Sequence, residues 1–340
     1  MVGRGHPCFI IAEAGVNHNG EVDRALALID IAADAGADAV KFQTFEADRL
    51  VTCDAPKAAY QVQAMGGDES QYAMLAKLEL SAEDHYVLFR RCQKRGILFL
   101  SAPFDEQSAD LLHELGVAAF KTPSGELTNL PYLAHVARFR LPMIVSTGMA
   151  TLGEVESAIE AIEAAARPPL VLLQCVSNYP ASPADVNLRA MGTLERAFRV
   201  PVGYSDHTLG IEVALAAVAL GACVVEKHFT TDRALVGPDH RASLEPSELC
   251  GLVAGIRSVE AALGDGRKRP ASSEASTAAV ARKSLIAARD IAQGVELTGA
   301  DISVKRPGTG MAPALRDAVL GSCARVPIAA GTILSWEMLV

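Results

Sequence analysis

The chain has no paired-cysteine signature, no basic run and no apolar stretch long enough to cross a bilayer. Its seven cysteines (8, 53, 92, 175, 223, 250 and 323) are odd in number and scattered, without a Cys-x-x-Cys pair. They read as small core residues of a protein kept in a reducing, cytoplasmic compartment. The longest apolar run, Val213 to Val225, falls short of the ~20 residues of a spanning helix. The apolar stretch at Phe9-Ile10-Ile11 meets Glu13 almost at once, which is not a signal-peptide pattern. Net charge is −9, so neither nucleic acid nor membrane is expected as a partner. This acidity does not exclude an anionic substrate. A lysine ~4 Å from a phosphate contributes ~4 kcal/mol at a surface-like dielectric, while diffuse charge is screened beyond ~8 Å.

The chain does have size and apolar content: 340 residues, half of them hydrophobic and 21% charged. That composition excludes wholesale disorder and suggests two domains. Runs suited to buried parallel strands occur at 9–14, 39–44, 98–102, 118–122, 143–147, 171–176, 200–204 and 222–226. Helical patterns separate most of them. Leu26, Ile29 and Ala33 share one helical face, Ser81 to Asp84 forms a capping box for a helix running to about Arg95, and Pro246 opens a long amphipathic helix. Eight β-then-α units predict a (β/α)₈ (TIM) barrel over 1–263, ahead of an open doubly wound sheet. Residues 46–80 read as an extended loop with a short helix overhanging the rim. Residues 264–281 are polar and small, a linker by composition. The last piece, 282–340, carries Ile291-Ala-Gln-Gly-Val-Glu-Leu297 and Ile328-Ala-Ala-Gly-Thr-Ile-Leu334, two copies of one spacing, and predicts a small β-rich domain.

The strands end in residues that a buried strand has no structural reason to carry. They supply Glu13; Lys41 and Gln43; Phe104; Lys121, Ser124, Gly125 and Glu126; Ser146 and Gly148; Tyr179; Ser205 and His207; and Glu226 and His228. Lys41 and Lys121 provide positive charge, the serines provide hydroxyl donors, and Gly125 and Gly148 open helix N-termini suited to phosphate. His207 and His228 are placed to hold a divalent cation with open positions, Mn²⁺ or Mg²⁺ rather than structural zinc. The carboxylates of Glu13, Glu126 and Glu226 could move protons or form ion pairs with the lysines. Asp239 reads as a turn residue, and Arg306, before a Pro-Gly turn, as a solvated arginine.

Eight motifs in order, Ile11-Ala-Glu-Ala-Gly-Val-Asn-His-Asn-Gly20, Lys41-Phe-Gln-Thr44, Ser101-Ala-Pro-Phe104, Pro123-Ser-Gly-Glu126, Ser146-Thr-Gly-Met149, Gly203-Tyr-Ser-Asp-His-Thr208, Glu226-Lys-His-Phe229 and Gly237-Pro-Asp239, resemble the sialic acid synthases. That family includes N-acetylneuraminate, legionaminate and pseudaminate synthases. Residues 282–340 resemble the antifreeze-like (SAF) domain that follows the barrel there. The resemblance implies condensation of phosphoenolpyruvate with an N-acyl mannosamine-type sugar, N-acetylmannosamine first, with a 2,4-diacetamido sugar as the alternative. It further implies that Lys41, Lys121, Ser124, Ser146 and Ser205 hold phosphoenolpyruvate and that Glu13 and Glu126 handle water and protons. His207 and His228 would hold the cation. Gln43, Phe104, Tyr179, Asp239 and Arg306 would lie near the sugar, the arginine reaching it from a second subunit of a domain-exchanged homodimer. Some relatives carry Thr where this chain has Ala102 and Asn where it has Ser177, which puts contacts there in doubt. A Schiff-base aldolase using Lys41 or Lys121, and a non-catalytic sugar-binding protein, are the competing readings.

Overall fold

The computed structural model describes every residue except Met1, Arg4 and Asp68, and the chain divides into two compact units, residues 1–264 and 265–340. The first contains eight strands: β1 (Phe9–Gly15), β2 (Ala39–Thr44), β3 (Leu98–Pro103), β4 (Phe120–Thr122), β5 (Met143–Ser146), β6 (Leu170–Cys175), β7 (Val202–Asp206) and β8 (Val224–His228). They form one sheet in the order β3-β2-β1-β8-β7-β6-β5-β4. Every ladder in it is parallel. The two ends of that order, β3 and β4, abut each other, so the sheet curls into the expected barrel with the helices outside.

The two-residue period of each strand divides its side chains between two cores. Outward residues such as Ile10, Val40, Phe42, Phe120 and Val225 pack against the helices. Inward residues form a separate apolar plug of Ile11, Ala39, Leu100, Ile144, Leu173 and Val224. Two residues further along, the inward face becomes polar on most of the strands, and this is where the site begins.

Local chemistry fixes the helices much as expected. Ser81 accepts from the Asp84 N–H, the helix Ala82–Arg95 follows, and Gly96 ends it in a left-handed conformation. Pro246 starts the helix Pro246–Leu263. The first helix, Val22–Asp34, buries Ala25, Leu28, Ile29 and Ala32, so Leu26 and Ala33 lie at the edge of the buried stripe rather than on it. Its sequence is apolar around most of the circumference, so periodicity alone does not set the phase. Residues 46–80 form three short helices, Ala47–Leu50, Ala59–Met65 and Gln71–Ala76, instead of one. This excursion has its own small core of Val16, Phe45, Met74 and Leu78. No helix among the described residues is long and apolar enough to cross a membrane.

In the second unit, the stretch read as linker is helical in its latter part: Ala275–Ala281 is an alanine-rich helix, the residue type with the highest helix propensity. β9 (Ser284–Ala287) and β10 (Ile302–Lys305) pair antiparallel. The two seven-residue copies face each other across an Ile291–Ile328 bridge, and each isoleucine N–H donates to the other's carbonyl at 2.8 Å. Gly294 donates to Ala324 at 2.7 Å and Gly331 to Ala287 at 2.8 Å, so the pairs map onto each other. Both glycines have positive φ (82° and 84°), and Ile291, Leu297, Ile328 and Leu334 share one core. The repeat is a structural duplication about a local twofold axis.

Candidate active site

One residue from each strand, two positions beyond the apolar plug, points into a single cavity of about 430 Å³. These residues are Glu13, Lys41, Ala102, Lys121, Ser146, Cys175, Ser205 and Glu226. Gln43, Phe104, Ser124, Ser177, Tyr179, His207, His228 and Asp239 also line it. β7 and β8 run on to Asp206 and His228, so Ser205, Glu226 and His228 sit within strands rather than beyond their ends. A backbone ladder is indifferent to side-chain polarity, and an inward polar residue at the rim stays paired.

The floor is an ion cluster. Lys41 Nζ lies 2.8 Å from Glu13 Oε2 and 3.5 Å from Glu226 Oε2. Lys121 Nζ lies 3.1 Å from Glu226 Oε1, which also accepts from the Ser205 hydroxyl at 2.8 Å. Burial works against the Glu226 carboxylate, but Lys121, Lys41 and Ser205 together hold it well below the usual range. Burial pushes Glu13 up to about 7, with Lys41 opposing and Glu226 reinforcing the rise. Burial lowers Lys121, whereas for Lys41 the two carboxylates outweigh burial and raise it. Two cations thus face one firm anion and one carboxyl that titrates near neutrality. Ser146 Oγ is buried without a hydrogen-bond partner, and Glu13 Oε2 and Glu226 Oε2 share the single Lys41 ammonium. Such groups are costly unless a ligand satisfies them, and the balance of charge calls for an anion.

Backbone fit keeps this floor open. A side chain at Gly15 would meet Glu13 Oε1, His228 Cε1 and Gln43 Nε2 at 3.3–3.4 Å. At Gly148 it would strike Ser177 Oγ and Ser124 Oγ at 2.3 and 2.7 Å. The Gly148 N–H instead donates to Ser124 Oγ at 3.0 Å.

Above the floor the His207 and His228 rings lie 5.4 Å apart, and Tyr179 packs on both at 4.0 and 5.4 Å. His207 Nδ1 lies 2.6 Å from the Val176 carbonyl. A carbonyl only accepts, so Nδ1 carries a proton and Nε2 is the atom left to serve as a ligand when the ring is neutral. Against burial, Cys175, the Val176 carbonyl and Glu226 raise the ring above its ordinary value. Burial, His207 and Lys41 hold His228 neutral, well below its ordinary value, and its Nδ1 is buried without a hydrogen bond. Asp239 Oδ2 is 3.8 Å away, and burial raises that carboxyl to about 6 against the pull of His207 and Lys41. These features fit a cation held by two imidazoles. Among the described residues no cluster of three or more His, Cys, Asp or Glu side chains has metal-binding geometry, so the cation would keep several open positions.

Two candidates stand elsewhere. Glu126 does not line the cavity. It is half-buried, and its Oε2 accepts from Asn129 Nδ2 at 2.8 Å in the turn before the helix Leu130–Ala137. Arg306 belongs to the second unit, where its Nε donates to the Ala281 carbonyl at 3.0 Å. Cys175 is an unanticipated wall residue, 3.7 Å from His207 Nδ1; its position two residues after Leu173 carries the signal that would have found it. Asn17 and His18, within the first motif, serve the fold. Asn17 Nδ2 donates to the Phe229 carbonyl at 2.8 Å and to Ser243 at 2.9 Å, and His18 Nδ1 accepts from the Gly20 N–H at 3.0 Å.

A parallel barrel whose C-terminal rim holds a lysine–glutamate floor beneath paired imidazoles defines an enzyme that handles an anionic substrate. Comparison with known proteins makes this specific. Residues 28–268 match the NeuB family and residues 282–340 match the SAF domain. The chain is 51% identical to N,N'-diacetyllegionaminic acid synthase of Legionella pneumophila, over 97% of this chain and 94% of the relative. It is 50% identical to the Campylobacter jejuni enzyme of the same name, over 93% and 95%. The structure of N-acetylneuraminic acid synthetase from Leptospira borgpetersenii superposes with a TM-score of 0.71 at 38% identity, covering 81% of this chain and 92% of that one. The chain belongs to the NeuB family and is a phosphoenolpyruvate-dependent condensing enzyme of the sialic acid synthase type.

Proposed function

We propose that this enzyme condenses phosphoenolpyruvate with a 2,4-diacetamido-2,4,6-trideoxyhexose, giving N,N'-diacetyllegionaminic acid and phosphate. The observation that carries the sugar assignment is the identity of 51% and 50% to two synthases of that name over almost the whole chain. It displaces N-acetylmannosamine, the first expectation from the motifs. Beyond the ion cluster the wall carries apolar Val16, Phe45, Leu50, Val51, Met74 and Leu78 together with Tyr60, Gln61 and Gln71, a mixture with apolar surface for acetyl and C6 methyl groups and polar groups for their amides.

In this reading Lys41 and Lys121 receive the phosphate and carboxylate of phosphoenolpyruvate, and Ser124, Ser146 and Ser205 donate hydroxyls to them. The C3 carbon forms a bond to the sugar's aldehyde carbon, whose oxygen takes up a proton. Water adds at C2 and gives up a proton, and the C2–O bond to phosphorus breaks to release phosphate. Glu13, with a carboxyl near 7, is matched to exchange those protons. Glu126 would have to leave Asn129 to take part, so the proton work is assigned to Glu13. Gln43, Phe104, Tyr179 and Asp239 contact the sugar. A divalent cation, Mn²⁺ or Mg²⁺, held by His207 and His228 would supply Lewis-acid polarisation of the aldehyde oxygen. Arg306 would complete the sugar site of a second copy in a domain-exchanged homodimer; mixing an Arg306→Ala enzyme with a Lys41→Met enzyme should then restore activity that neither shows alone.

Phosphate release from phosphoenolpyruvate tests the sugar. Turnover with the diacetamido sugar should exceed that with N-acetylmannosamine by at least tenfold, and the reverse order would return the assignment to N-acetylneuraminate. One observation favours a Schiff-base mechanism instead: burial lowers Lys121, as an amine nucleophile requires. Borohydride in the presence of phosphoenolpyruvate or pyruvate should leave no adduct on Lys121, and a trapped adduct would establish that mechanism.

A further inference from the structure

The excursion between β2 and the helix Ala82–Arg95 does more than cover the rim. Tyr60, Gln61 and Gln71 enter the cavity lining from it, alongside its apolar residues. The Tyr60 ring lies 5.0 Å from that of Tyr179 at 35°, and Tyr179 in turn lies 4.0 Å from His207. Tyr60 therefore forms the outer rung of an aromatic ladder rising from the paired imidazoles. Its hydroxyl accepts from Gln61 Nε2 at 3.4 Å, and among the described residues the hydroxyl proton has no acceptor. Gln61 cannot take it, because its Oε1 already accepts from the Ala58 N–H at 2.9 Å and from Gln71 Nε2 at 3.4 Å. A half-buried phenol with a free proton on a cavity wall is equipped to recognise a carbonyl oxygen.

Distance from the floor fixes which part of the substrate this is. Phosphate and carboxylate belong at Lys41 and Lys121, and the aldehyde belongs at the imidazoles. Tyr60 is one aromatic ring further out, so it meets the sugar beyond its reacting end, where the acylamino groups are. We propose that Tyr60 is a specificity-determining residue: its ring packs against the acylamino group that the diacetamido sugar carries and N-acetylmannosamine lacks, and its hydroxyl donates to that group's carbonyl. This rests on the reading given under Proposed function and identifies the recognising residue. The excursion is held independently of Tyr60, by its Phe45–Met74–Leu78 core, by Gln71 N–H donating to the Ala55 carbonyl at 2.9 Å and by Ala47 N–H donating to Glu79 Oε1 at 2.6 Å. Substitution at Tyr60 therefore leaves the wall standing.

Steady-state kinetics on Tyr60→Phe and Tyr60→Ala, with both sugars, tests this. Tyr60→Ala should raise KM for the diacetamido sugar about tenfold or more, with a much smaller change in KM for phosphoenolpyruvate and in kcat. Tyr60→Phe, which keeps the ring, should show about a threefold rise. The preference for the diacetamido sugar over N-acetylmannosamine should shrink in the same order. Equal losses on both sugars, a rise confined to phosphoenolpyruvate, or unchanged kinetics would overturn the proposal while leaving the enzyme's activity as assigned. If the wild-type enzyme released phosphate with neither sugar, the functional reading would fall and this one with it.

Discussion

Two buried charge clusters lie one residue apart on β7 and β8, and their difference separates structure from function. Asp206 and Lys227 face outward, their side chains 0% exposed and 2.8 Å apart. Asp206 Oδ1 also accepts from the Tyr204 hydroxyl at 3.1 Å, the Thr208 N–H at 2.9 Å and the Thr208 hydroxyl at 2.8 Å. The Lys227 ammonium also donates to the Thr208 carbonyl. Ser205 and Glu226 face inward to Lys41, Lys121 and Glu13, where Ser146 Oγ lacks a hydrogen-bond partner and Glu13 Oε2 and Glu226 Oε2 share the single Lys41 ammonium. The outer cluster is closed; the inner one is incomplete without a ligand. Burial of charge alone would not tell them apart, because both are buried. Saturation of hydrogen bonds does.

The sharpest way to break this comparison is to remove a lysine from each cluster. Lys41→Met should lower turnover by 10³-fold or more, about 4 kcal/mol of transition-state stabilisation. It should unfold within about 1 kcal/mol of wild type, since Glu13 can take a proton in place of its partner. Lys227→Met should do the reverse and cost about 3 kcal/mol or more in urea unfolding, because it strands a buried carboxylate. If both variants behaved alike in the two assays, the distinction would be lost.

Removing the cation is the next test. Chelation should abolish phosphate release and Mn²⁺ should restore it in the wild type. His228→Ala should stay folded and bind Mn²⁺ at least tenfold more weakly in a direct titration. Unaltered binding would place the cation elsewhere.

A smaller effect follows from Glu13. Its carboxyl lies near 7 in the folded chain against an ordinary 4.5. Below about pH 4.5 both states hold the proton. Between there and about 7 only the folded state does, so stability contributed by this group falls as pH rises through that window. At ~1.4 kcal/mol per pH unit the ceiling is about 3 kcal/mol. Glu13→Gln should therefore gain on wild type between pH 5 and pH 8 in urea midpoints, and parallel curves would contradict it. The smallest contrast pairs two hydroxyls. Tyr204→Phe should cost about 1 kcal/mol of stability with KM unchanged, while Ser205→Ala should raise KM for phosphoenolpyruvate severalfold at similar stability.

Much of this was legible before any coordinates. Alternation made Lys41 and Gln43 share a face, and the same rule carried through all strands lines up Glu13, Lys121, Ser146, Ser205 and Glu226. Cys175 and Ala102 obey it too, but a thiol looks like core and drew no notice, and Ala102 stood out only against the Thr of some relatives. Glu126 falls outside the cavity lining because it follows β4 in a single turn of 3₁₀ helix, where no two-residue period applies. Tyr60 gave no signal at all, since its place depends on how three short helices stack.

Periodicity, capping residues and paired motifs sufficed for the barrel, the duplicated C-terminal unit and the inventory of chemical groups, because these depend on spacing within short segments. Which buried charges are closed and which wait for a ligand depended on the folded chain. Hydrogen-bond completion is a property of atoms that the sheet brings together: Asp206 meets Lys227 once β7 pairs with β8, Glu226 meets Lys121 only once the sheet has curled, and a one-dimensional pattern contains neither distance.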